Sequence, residues 1–197
     1  MEKVVIIVKS LCCGNEKIDI YFDDYRVSFY ASYIGQEPMA SLVQAVYELE
    51  ECGVCDLDND EVRYESDVRW LSEPGFLTME FRRMDEILHI HLTTADDFEF
   101  KGIMSEEFSV SFGAFKDAVI RESLRILKTY GIKGYFESWS DQRDFPLGML
   151  LTLLGYRPEQ KKSGMYTSDL ETECKLLQEM IPNKTNDYGT PHCSPEV

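Results

Sequence analysis

The chain has 197 residues, with 36 Asp or Glu against 20 Lys or Arg and a formal net charge of −16. That balance excludes a nucleic-acid binder, which needs a basic face to neutralise phosphates, and it excludes docking on an anionic membrane. With 44% hydrophobic and 12% aromatic residues, the chain is too apolar for a disordered protein and long enough to close a core without metal or disulfide.

Val4 to Val8 is apolar on both faces, which predicts a strand buried within a sheet. This apolar run is too short for a secretory signal, and no stretch elsewhere approaches a membrane span, so a cytoplasmic protein is expected. Ile18, Ile20 and Phe22 alternate, as do Val27, Phe29, Ala31 and Tyr33, and Asp23-Asp24 between them reads as a hairpin turn. From Pro38 the rhythm changes: Met39, Leu42, Val43, Val46 and Leu49 form the stripe of an amphipathic helix ending near Cys52-Gly53.

A polar acidic connection leads to a strand near Val62-Arg63-Tyr64. The clearest hairpin comes next, with Leu77, Met79 and Phe81 alternating before Met84-Asp85-Glu86, and Leu88, Ile90 and Leu92 alternating after it. Phe98 and Phe100 suggest one further strand. Phe115, Val119, Ile126 and Tyr130 mark a second helix from Phe112, closed by Gly131. Tyr135 to Trp139 reads as a strand, and Leu147 to Leu154 as a short helix closed by Gly155. Ser168 and Glu171 have capping-box spacing before a last helix through Leu170, Cys174, Leu177 and Ile181. Residues 182–197 lack periodicity and read as a tail behind a single domain of residues 1–181. The expected fold is α+β: a mostly antiparallel sheet of about six or seven strands with the helices packed on one face.

No motif for a cofactor or a nucleophilic elbow occurs. Asp56-Leu57-Asp58-Asn59-Asp60 resembles the start of a calcium loop, but Glu61 stands where the sharp turn needs Gly, so a solvated acidic loop is expected. Cys52 and Cys55 have the spacing of redox and zinc motifs. They follow a helix end among acids, however, and zinc would need two further ligands, for which Cys12-Cys13 is the other cysteine cluster. The six cysteines are expected to be reduced. His89 and His91 share one face of a strand at roughly 7 Å. With a third ligand they could serve a metal-dependent hydrolase; otherwise they occupy the wetter side of a sheet. Gly148 to Tyr156 is similar to the terminal segment of one acetyltransferase family, whose pyrophosphate-cradling loop the chain lacks, so that function is not carried over.

Between Glu48 and Asp67 lie nine acids and one base, Arg63. Such density costs stability through self-repulsion, which a cationic partner would relieve. Glu50, Glu51, Asp56, Asp58, Asp60 and Asp67, with Trp70 as an aromatic anchor, are therefore the candidate contacts for a basic protein. Size, acidity, element order and the run Trp70-Leu71-Ser72-Glu73-Pro74-Gly75 resemble small acidic immunity proteins of bacterial polymorphic-toxin systems over residues 18–130. The resemblance implies a non-enzymatic inhibitor that captures a basic toxin.

Overall fold

The computed structural model describes residues 3–32, 34–56, 61–96, 102–139, 143–162 and 164–180. The antiparallel strands β1 (Val4–Cys12), β2 (Asn15–Phe22) and β3 (Tyr25–Ala31) form a first sheet in that order. Cys13 and Gly14, between β1 and β2, hold φ of 53° and 77°, the left-handed pair that a tight two-residue hairpin turn requires. Asp23, at φ 50°, begins the expected turn between β2 and β3. Helix α1 (Pro38–Glu51) follows, with Pro38 in its first turn, where the missing N–H is no loss.

The short β4 (Val54–Asp56) pairs with the first residues of β5 (Glu61–Ser72). Strands β5, β6 (Gly75–Met84), β7 (Ile87–Ala95) and β8 (Met104–Ser111) then form a four-stranded antiparallel meander. The chain ends its described part with α2 (Phe112–Ser138), α3 (Leu147–Leu153), a ribbon of β9 (Glu159–Gln160) and β10 (Tyr166–Thr167), and α4 (Leu170–Met180). Among the described residues, no helix is long and apolar enough to cross a membrane.

The α+β class and antiparallel pairing match the sequence, but the single sheet of six or seven strands does not form. β3 leads into α1 rather than into β5. The three-stranded sheet and the meander are joined by a strand-end bond from Ser32 N–H to Leu71 O at 2.7 Å and by ring contacts, Phe22 on Phe108 and Phe29 on Trp70. α1 packs mainly on β5, α2 mainly on β1, and the two helices touch, so each sheet gives one face to a shared core. The alternating residues Leu77, Met79 and Phe81 of β6 and Leu88, Ile90 and Leu92 of β7 all lie in that core.

Two local expectations also change. Tyr135 to Ser138 is helical, with Trp139 as the extended C-cap: Gly131 (φ 67°, ψ 172°) breaks α2, which resumes beyond it and packs the Tyr135 ring against Trp139 and Phe145. The cap of α4 is Asp169 rather than Ser168, its carboxylate accepting from Glu171 N–H at 3.3 Å and Thr172 N–H at 3.1 Å. Bonding from the Thr172 side chain and backbone holds the Asp169 carboxyl below its usual pKa. The further strand expected around Phe98 and Phe100 lies outside the described residues, as does the tail.

β1 is not interior to its sheet; among the described residues it is an edge, paired with β2 alone. Its outer side is closed by side chains of α2. Glu122 accepts from Val8 N–H at 2.5 Å, Arg125 donates to Val8 O at 2.7 Å, and the same Arg125 bridges both oxygens of Glu122 at 2.6 and 2.7 Å. An ion pair thus stands where a neighbouring strand would, protecting the edge. The carboxylate bonds also raise the Arg125 pKa.

Deeper still, Glu16 on β2 is 1% exposed, and neither carboxylate oxygen has a hydrogen-bond partner among the described residues. Burial first, and then the charges of Glu37 and Glu122, push its pKa well up, while the nearby Met39 amide draws it partly back. The native carboxyl therefore keeps its proton to higher pH than the unfolded chain does. Its contribution is fully present below the unfolded pKa and lost as pH rises through the folded one. Glu16→Gln should accordingly be more stable than the parent at pH 7, by about 1 kcal/mol, with the gap closing toward pH 4. Thermal melts across that range check this, and a gap independent of pH contradicts it.

Candidate functional site: the outer face of the meander

Because strand residues alternate between faces, the hairpins that bury Phe81 and Ile90 turn their neighbours outward. The register aligns Asp67 with Glu80, Glu80 with His91, and His91 with Glu107, in one row across all four strands. The adjacent row reads Glu65, Arg82, His89, Ser109. These two rows, with Met84 at the rim, line an open groove.

The rows differ in charge balance. In the second, Arg82 Nε approaches Glu65 Oε1 at 3.6 Å, and His89 Nδ1 bonds Ser109 Oγ at 2.9 Å. In the first, His91 bridges Glu80 Oε2 at 3.0 Å and Ser105 Oγ at 2.7 Å. Asp67 and Glu107 have no cationic partner among the described residues. Like charges directly opposite on neighbouring strands destabilise a sheet, and Asp67 faces Glu80 in that way.

The candidate residues from the sequence divide. Asp67, His89 and His91 share this groove. Glu50 lies elsewhere, tied by its two oxygens to Lys116 Nζ of α2 at 2.5 and 2.6 Å, and Glu51 is bonded by Arg157. Both acids are thus matched within the chain. Asp56 ends β4, and Asp58 and Asp60 lie outside the described residues. Trp70 is a correction: it is 0% exposed, with Nε1 donating to Ser41 Oγ at 2.9 Å, so it anchors α1 to β5 in the core rather than presenting a surface.

His89 and His91 do share a strand face, but both nitrogens of His91 are engaged. Among the described residues, no three His, Cys, Asp or Glu side chains are grouped to hold a metal ion. The ligand set that a metal-dependent hydrolase would need is therefore not assembled there. Sequence reasoning missed Glu80, Arg82 and Glu107, although counting back from the Asp85-Glu86 turn already sets Glu80 against His91.

No protein-family model matches the chain, and comparisons with curated proteins and with solved structures give no match.

Proposed function

We propose that this chain is a non-enzymatic protein-binding domain whose outer meander face receives a basic partner, an inhibitor of a cationic toxin being the sharpest form of that reading. The observation that carries it is the row Asp67, Glu80, His91, Glu107, where Asp67 is held opposite Glu80 at a cost to the fold and three carboxylates share one histidine. A partner's Lys or Arg side chains would relieve that repulsion. Glu50 and Glu51, already ion-paired, are the weaker candidates. Beside the groove, β8 pairs among the described residues with β7 alone, and Met104 to Glu107 are exposed, so an extended basic segment could also reach a strand edge.

The test is charge neutralisation. The variant E65Q/D67N/E80Q/E107Q should associate with a basic partner captured from the native host about tenfold more slowly than the parent, with a shallower salt dependence. E171Q/E179Q on α4, both exposed and outside the groove lining, should leave the rate unchanged. Equal slowing by both variants would mean that bulk charge, not this face, governs association.

A further inference from the structure

We propose that Cys12 and Cys13 form a vicinal dithiol that small disulfides convert reversibly into an intramolecular ring, making the β1–β2 turn a redox modification site. The two sulfurs lie 3.3 Å apart, and both residues are exposed. Cys12 is the last residue of β1 and Cys13 the first of the turn, where φ of 53° and the following Gly14 at 77° fix the backbone. The turn is held further by Gly14 N–H donating to Ser138 O at 2.8 Å, at the end of α2. Adjacent thiols are thus brought together by the hairpin itself.

The chemistry balances with glutathione disulfide as oxidant. One thiolate attacks a glutathione sulfur, forming a mixed disulfide and releasing one glutathione thiolate. The neighbouring thiolate then attacks the protein-side sulfur, closing the Cys12–Cys13 bond and releasing the second. Two protein thiols are oxidised and one glutathione disulfide is reduced to two thiols. A resolving thiol in contact makes the second step intramolecular, so the ring rather than the mixed disulfide accumulates.

The ring is also easily undone. Neighbouring Cα atoms are only about 3.8 Å apart, short of the usual range of about 4.4–6.8 Å across a disulfide. Such strain makes the bond readily reducible, which suits a reversible modification better than a structural staple.

Cys174 is an exposed cysteine without such a neighbour among the described residues and serves as the internal control. The folded protein is treated with glutathione disulfide, then trapped and mapped by peptide mass spectrometry. The expected result is glutathione on Cys174, with loss of two hydrogens and no adduct on the peptide carrying Cys12 and Cys13. Excess reduced glutathione should restore both thiols, and Cys13→Ser should convert Cys12 into a stable glutathione adduct. Persistent adducts on the parent's Cys12 or Cys13, a covalent dimer through either, or a ring that resists reduced glutathione would each overturn the proposal.

Discussion

Glu122→Ala should lower stability by about 3–5 kcal/mol, the range for removing one partner of a buried ion pair. The loss has two parts. Arg125 loses the carboxylate that it grips through two nitrogens, and the Val8 N–H loses the carboxylate that accepts from it. The second part also uncovers a strand edge, so the variant should self-associate as well as unfold earlier. Arg125→Lys tests the geometry, because an ammonium cannot reproduce the planar fork that serves Glu122 and Val8 O together. Urea denaturation and light scattering provide both readouts. A loss under about 1 kcal/mol, typical of exposed pairs, would mean that the pair does not protect β1.

Trp70→Ala should cost about 3–5 kcal/mol as well, for a different reason: it empties a large volume at the contact between α1 and β5. The indole N–H donates to Ser41 Oγ, and that hydroxyl donates to Pro38 O at 2.9 Å, so the ring is wired to the first turn of the helix. Trp70→Phe keeps most of the volume, ends that relay and should cost about 1–2 kcal/mol. Because Trp70 is a core residue, the Phe variant should bind a partner as the parent does once folded. Chemical denaturation measures the first effect and association kinetics the second. Slowed association by a fully folded Phe variant would return Trp70 to a docking surface.

Period-two and helical patterns made much of this fold legible. The turns at Asp23-Asp24, Glu73-Pro74 and Asp85-Glu86 separate the strands that the alternation implies, and α1 begins at Pro38 as read. Sheet membership was not legible, because alternation says which face a residue takes but not which strand lies alongside. For that reason β1, apolar on both faces, read as interior although it is an edge covered by a helix rather than a strand. Tyr135 to Trp139 misled for a related reason: an aromatic run has strand propensity, and its packing against Phe145 decided otherwise.

The site shows the same limit. Local acid density pointed to Glu50 and Glu51, whose charges are met by Lys116 and Arg157 from helix and loop positions distant in sequence. The unmatched charge lies instead in a cross-strand row, whose members sit up to forty residues apart in the chain and meet only through register.

The central claim, that this row is the receptive face for a basic partner, is tested most directly by mapping a short oligolysine peptide onto the isotope-labelled domain by NMR. Shift changes should concentrate on Glu65, Asp67, Glu80, His91 and Glu107, weaken with added salt, and disappear in E65Q/D67N/E80Q/E107Q. Changes centred on the end of α1 around Glu50 and Glu51, or spread evenly over the acidic surface and unaltered in that variant, would contradict it.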